Sequence, residues 1–453
     1  MSKKTIKKKN APPKPAIRLS QCMIVKNEEK NIEKALGWAK NVAYEQIVVD
    51  TGSTDRTVEI AKMMGAKVYH FEWINDFAAA KNYAIEQAEG NWIAFLDADE
   101  YLSPEDTNEL MDLLRKIHAT PQVRDKCNAL LAPIAQINDQ GKPFSIGAQI
   151  RFFRNLPDIR YNGIIHERLR LDNENILGVH DISIIHTGYM KSVYNETDKA
   201  DRNIDMLRAE LEKKPEDLNL KAYLADALYV KAKTDGLDEI VRREAEEEAA
   251  ALYTEVASSD GGVLKVLQKA SHMKTIENSL TTGKPVLECE KLCRNALALF
   301  PDDMDFECYL AQVLNRKKDF RAAWDILTRC EEKLISKSFE ITTSHVAVNP
   351  RILFAEFVNA AQGMGDTVNT IKYATMILAE DKTIVDILRP YVATLILSGA
   401  SEDEVIGLLS KLYDFNDPKD VIFVARSAKD GGAIELARKL AGMAGKLVGY
   451  GEN

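Results

Sequence analysis

The chain has 453 residues, 45% of them hydrophobic and 28% charged, with a formal net charge of -9. That is enough apolar material for two or three cores, and the acidic balance speaks against nucleic acid as the main partner, since phosphates favour a basic face. No apolar run approaches the roughly 20 residues that a bilayer-crossing helix needs, so no transmembrane segment is expected.

The opening stretch, 1–17, carries Lys3, Lys4, Lys7, Lys8, Lys9 and Lys14 among Pro12, Pro13 and Pro15. No apolar segment follows the lysines, so it does not read as a secretory signal. It reads as a flexible, solvated basic leader, with contact to an anionic surface or an acidic partner as the alternative. Cys22, Cys127, Cys289, Cys293, Cys308 and Cys330 are scattered without a CxxC pair, which suits a reducing cytoplasm.

Residues 18–195 alternate strand and helix patterns. Short apolar runs at 19–25, 45–50, 67–72 and 91–97 predict strands, and the stretches near 28–40, 54–64 and 76–89 predict helices between them. Such alternation predicts an α/β domain with a mostly parallel, Rossmann-like sheet. Ser103-Pro104-Glu105-Asp106 then opens another helix: a hydroxyl cap, proline at the first helical position, and acids in the first turn.

From 196 to 450 the texture is helical only. Leu310, Ala311, Leu314, Ala323 and Leu327 keep the small and large apolar spacing of a tetratricopeptide unit, and Phe354, Ala355, Val358, Ile371 and Ala374 repeat much of it. Cys289, Cys293 and Ala296, followed by Pro301, fit the second helix of an earlier unit. The two cysteines share a helix face and could bind a metal, but the repeat places them at packing positions, where cysteine acts as a small hydrophobe. An all-α TPR-like domain is expected here.

In an open α/β sheet, ligands sit at the carboxyl ends of the strands. The unusual polar residues of this chain cluster there. Asp97 and Asp99 follow the apolar run 92–96, and carboxylates at the mouth of a buried strand are costly unless paired or metal-bound. Two hard carboxylates at this spacing suit one divalent cation with open positions for diphosphate oxygens. The spacing alone is weak, since a chain this long holds about one DxD by chance. The second cluster, 50–55, turns from a strand into a helix, so its N–H groups and hydroxyls face the sheet edge. An ordinary capped turn explains it equally well.

Four linked blocks raise the specificity: 23–29 (MIVKNEE), 48–57 (VVDTGSTDRT), 75–82 (NDFAAAKN) and 96–100 (LDADE). In order and spacing they resemble family 2 glycosyltransferases of the GT-A fold. Arg151-Phe152-Phe153-Arg154, Tyr161-Asn162-Gly163, Ile165-His166-Glu167 and Ile185-His186-Thr187-Gly188-Tyr189 extend the match. A bacterial branch with a TPR-like C-terminal region, including sublancin-type peptide S-glycosyltransferases and related protein glycosyltransferases, is similar throughout.

The resemblance implies a nucleotide-sugar donor, with UDP the expected nucleotide and GDP and dTDP open. It places Val25, Asn27 and Glu28 along the nucleoside, Asp50 on the base or ribose, Lys81 near the donor, and Asp97 and Ala98 against ribose or metal. Asp99 would coordinate Mn²⁺ or Mg²⁺, and His186 would complete the metal site, unless it is a strand-end histidine with one ordinary hydrogen bond. Glu167 is the expected catalytic base in an inverting transfer, unless it only pairs with Arg168 or Arg170; Glu100 is the second candidate. Position 81 is lysine where arginine is common, and no Gln-x-x-Arg-Trp block is present, which argues against processive polysaccharide synthesis.

The expected acceptor is a peptide or protein side chain, Ser/Thr or Cys, because TPR-like arrays present a concave surface to polypeptides. The helical region would recognise that acceptor or form a homodimer. The alternative is a catalytically weak GT-A domain serving as a protein-interaction scaffold. A sugar-1-phosphate nucleotidyltransferase needs a glycine-rich loop after the first strand, and residues 19–36 contain no glycine.

Overall fold

A computed structural model of the chain describes residues 17–138, 141, 143–171, 175–187, 199–336 and 344–448. The basic leader, apart from Ile17, and the Gly188-Tyr189 end of the last sequence block lie outside the described residues. The chain divides into two compact units, Met1–Glu246 and Glu247–Asn453.

The first unit runs β1 (Leu19–Val25), α1 (Ile32–Gly37), β2 (Glu45–Asp50), α2 (Thr57–Met63), β3 (Lys67–His70), α3 (Phe77–Glu86), β4 (Trp92–Phe95), β5 (Glu100–Leu102), α4 (Pro104–Ala119) and α5 (Pro121–Arg124). It continues with β6 (Ala129–Ile137), β7 (Pro143–Arg154), β8 (Tyr161–Asn162), β9 (Arg168–Leu169), β10 (Ile176–Gly178), β11 (Ile184–His186), α6 (Lys199–Lys213) and α7 (Leu218–Ala232). The main sheet has the order β3-β2-β1-β4-β7-β6-β11-β5, with β10 beside β6. Its first four strands are parallel, while β7 runs antiparallel to both β4 and β6. The parallel half is apolar along its length: Cys22, Ile47, Val49, Ile93 and Phe95 are buried together.

Helices α1 and α2 start later, and strand β4 ends earlier, than their hydrophobic patterns, and each loss has a polar cause. Helix α1 starts at Ile32 rather than near 28, because Asn27 takes a left-handed backbone (φ 57°) and the Glu28 amide donates to Thr57 Oγ1 at 2.7 Å. Helix α2 starts at Thr57, with Asp55 Oδ1 accepting from the Thr57 amide at 3.0 Å. Strand β4 stops at Phe95, and Asp97 accepts through its carbonyl from the Glu100 amide at 3.0 Å, which turns the chain before the DxD pair is complete. The expected cap of α4 forms: Ser103 Oγ accepts from the Asp106 amide at 3.0 Å.

The second unit is helical. Helix α8 (Glu239–Ala257) spans the division and α9 (Lys265–Thr281) follows it. Next come α10 (Val286–Leu299), α11 (Met304–Arg316), α12 (Phe320–Ser336), α13 (His345–Val348), α14 (Arg351–Met364), α15 (Thr367–Glu380), α16 (Val385–Leu397), α17 (Glu402–Leu409), α18 (Pro418–Asp430) and α19 (Ile434–Leu447). The TPR-like pairs are α11 with α12 and α14 with α15, and Leu310, Ala311, Leu314, Ala323, Leu327, Val358 and Ala374 are all buried in one core. Cys289 and Cys293 lie in that core, as packing positions, and burial pushes the Cys293 thiol up to about 12. Gly365, with φ 73°, ends α14 where a side chain would be strained, and its amide donates to the Gln362 carbonyl.

Candidate active site

The carboxyl ends of β1 and β2 carry two loops that are sewn together. Asn27 N–H donates to Ser53 Oγ at 2.9 Å, and Asn27 Oδ1 accepts from the Thr54 amide at 2.8 Å. The Glu29 amide donates to Asp55 Oδ2 at 3.1 Å, and the Thr51 amide to the Val25 carbonyl at 3.0 Å. Asp50 is buried at the end of β2, and its carboxylate accepts from the amides of Gly52 and Ser53 and meets His70 Nδ1 at 3.2 Å. Val25, Asn27, Glu28 and Asp50 therefore stand on one rim. Much of the polarity of 50–55 serves to shape this turn, as an Asp at a strand end readily does.

Beside that rim, after β4, lies a buried charged centre. Lys81, from α3, is 3% exposed; its ammonium sits 3.3 Å from Asp97 Oδ1 and 2.7 Å from Glu167 Oε1. The rings of Phe95 and Tyr161 each lie 5.2 Å from it. Arg151, from β7, uses one nitrogen to reach both Asp97 Oδ2 at 2.8 Å and Glu100 Oε1 at 2.6 Å. Burial alone would raise the Asp97 pKa, but the charges of Arg151 and Lys81 overcome it and hold the carboxyl well below the usual range. For Glu100 burial wins over Arg151, and its pKa goes up. Burial likewise pushes the Tyr161 phenol up to about 12, against Lys81 and Arg151.

Asp99 and His186 face each other across the next turn. His186 Nε2 lies 3.3 Å from Asp99 Oδ2, and Nδ1 pairs with Gln136 Oε1. Burial disfavours the imidazolium, yet the hydrogen bond to Asp99 and the charges of Asp99, Glu100 and Asp97 raise the His186 pKa. The backbone fixes the pair, because β11 runs beside β5 and the Thr187 amide donates to the Asp99 carbonyl at 3.0 Å.

The donor chemistry of this pair fits a divalent cation. A carboxylate and an imidazole are both donor types that a divalent cation accepts, and here they stand 3.3 Å apart. With its proton on Nδ1, held by Gln136, His186 would turn a lone pair on Nε2 toward Asp99, the usual arrangement for a ligating histidine. Asp97, Glu100 and Glu167 pair with Lys81 and Arg151, which leaves Asp99 with His186 as its ion-pair partner. Among the described residues no group of three or more His, Cys, Asp or Glu side chains could hold an ion. Both Asp97 oxygens are taken by Lys81 and Arg151.

Other expected site residues have clear places. Ala98 is buried, in the same apolar cluster as Met23, Val25 and Ile32. Glu167 pairs with Lys81 rather than with Arg168 or Arg170, and no hydrogen bond to its Oε2 forms among the described residues. Lys81 is enclosed between two carboxylates and organises the centre instead of reaching outward. Glu100, the second candidate base, is 1% exposed with Oε1 on Arg151 and Oε2 accepting from the Asp97 amide at 3.1 Å; with both oxygens used it is a structural group. Sequence reasoning missed Arg151 as a site residue. Its signal was the 151–154 block, in which an arginine heads an otherwise buried strand end.

Residues 20–164 match the family model described as Glycosyl transferase family 2. A TPR repeat-containing protein of Synechococcus elongatus is 34% identical over 223 residues, covering 47% of this chain and 51% of that protein. The SPbeta prophage-derived glycosyltransferase SunS of Bacillus subtilis is 30% identical over 198 residues, 43% of this chain and 45% of that protein. The chain thus spans about half the length of these curated relatives. Among solved structures, TarS 1-349 of S. aureus in complex with UDP-GlcNAc is similar at 17% identity and a TM-score of 0.33, over 59% of this chain and 92% of that one.

Proposed function

We propose that the protein is an inverting, metal-dependent glycosyltransferase that moves a sugar from a nucleotide-sugar, a UDP-sugar first, to a peptide or protein side chain. The observation that carries this reading is the juxtaposition, in a chain that matches the family 2 glycosyltransferase model, of the Asp99–His186 pair with the Lys81–Asp97–Arg151 cluster at the carboxyl end of the sheet.

In this reading the rim of Val25, Asn27, Glu28 and Asp50 receives the nucleoside. Asp99 and His186 would hold Mn²⁺ or Mg²⁺, which would supply positive charge to the diphosphate. Lys81 and Arg151 keep Asp97 ionised and fixed, so the strand end is preorganised and needs no rearrangement during transfer. The acceptor oxygen or sulfur bonds to the anomeric carbon as the bond from that carbon to the diphosphate oxygen breaks. Glu167 takes the acceptor's proton, and the nucleoside diphosphate departs. The TPR-like region supports a polypeptide acceptor, since such arrays hold extended segments. The six cysteines are free and buried, in keeping with a reducing cytoplasm.

A donor panel of UDP-, GDP- and dTDP-sugars, with Mn²⁺ or EDTA, tests the proposal, followed by transfer of the active sugar to a peptide mixture. Nucleotide release from one donor, abolished by EDTA, with labelled peptide, is the expected result. Release that EDTA leaves unchanged would remove the metal role. No release from any donor would leave the scaffold reading in its place.

A further inference from the structure

Glu167 follows two residues with left-handed backbone. Gly163 has φ 100°, and His166, directly before Glu167, has φ 51°. A non-glycine residue in that region costs of order 1 kcal/mol and persists only where neighbours over-determine it. The neighbours are identifiable. On one side, the Phe77 amide at the start of α3 donates to the Ile164 carbonyl at 2.8 Å. On the other, the His166 ring stacks on Tyr223 of α7, with centroids 3.9 Å apart and planes at 11°. Arg168, immediately after Glu167, donates from Nη2 to the Tyr223 hydroxyl at 2.8 Å. One tyrosine therefore grips the residues before and after Glu167. The same hairpin grips α3: the Arg202 guanidinium of α6 lies 5.3 Å over the Phe77 ring, which packs edge-on against Trp73 at 4.8 Å.

We propose that the α6–α7 hairpin belongs to the catalytic centre, with Tyr223 a positioning residue that holds Glu167 against Lys81. The proposal rests on the glycosyltransferase reading above. It assigns work to a part of the chain beyond the matched residues 20–164, and it gives the strained His166 backbone a purpose. Without the stack, His166 relaxes toward ordinary backbone angles, and Glu167 swings away from the ammonium 2.7 Å distant.

The test compares full-length wild type with Tyr223→Ala and Tyr223→Phe. Hydrogen exchange of the 161–169 segment is read beside that of β1 and β2, and donor hydrolysis is measured on whichever donor the panel identifies. In Tyr223→Ala, 161–169 should exchange faster with β1 and β2 unchanged. Its kcat should fall about tenfold or more, with the donor KM within about twofold. Tyr223→Phe keeps the stack and loses the Arg168 bond, so it should recover much of both readouts. Unchanged exchange in 161–169 in Tyr223→Ala, or equal acceleration throughout the unit, would overturn the proposal. If wild type hydrolyses no donor, the glycosyltransferase reading fails, and the exchange comparison still decides whether Tyr223 holds the loop.

Discussion

At Arg151, one buried nitrogen bridges Asp97, in the turn that follows β4, and Glu100, the first residue of β5. Removing a partner from such a buried cluster leaves uncompensated charge, which costs about 3–5 kcal/mol, whereas the intact cluster adds little net stability. Arg151→Met should therefore lower unfolding free energy in urea by about 3 kcal/mol. Arg151→Lys, which keeps a cation within reach, should lose less. A cost below about 1 kcal/mol for Arg151→Met would mean that Glu100 is better solvated than its burial indicates. The aspartates at 97 and 99 are legible in the sequence because an apolar strand runs into them. The division of labour between them is not, since it depends on β7 and β11, which return to the site from 54 and 87 residues beyond Asp97 and Asp99.

The strands and helices of the parallel half are legible from hydrophobic period, and 19–25 and 45–50 form as expected. Their boundaries shift where a side chain bonds to a backbone group of another loop, as at Asn27 and Thr57, a long-range effect that no local pattern encodes. Glu45, at the start of β2, is an instance within the sheet. It accepts from Ser20 Oγ at 2.6 Å, from the Glu89 amide at 2.6 Å and from Lys67 at 2.7 Å, tying β1, β3 and the approach to β4 to β2. Burial would raise its pKa, but Lys67, Ser20 and the Glu89 amide together lower it. A depressed folded pKa contributes stability that is present above the unfolded value, about 4.3, and is lost as pH falls through the folded value. Glu45→Gln should thus cost about 1–3 kcal/mol at pH 7 and flatten the stability curve on its acid side. Equal acid sensitivity in the variant and wild type would contradict that role.

For the molecule as a whole, the sequence announces an α/β half and a helical half, and both are present. The compact first unit continues to Glu246 and includes α6 and α7, which composition alone assigns to the helical region. The reason is aromatic and long-range: Tyr223 and Arg202 look like ordinary helix residues until His166 and Phe77 are placed beside them. Two expected site residues, Glu167 and His186, also lie beyond the family match that ends at 164. No described helix is long and apolar enough to cross a membrane. The measurement that bears most directly on the proposed chemistry is a calorimetric titration of UDP into the full chain, with and without Mn²⁺, repeated with Asp99→Ala. Binding that requires Mn²⁺ and is lost in Asp99→Ala is the expected result. UDP binding of equal strength without Mn²⁺, or unchanged in the variant, would contradict the assignment of Asp99 and His186 to a donor-binding cation.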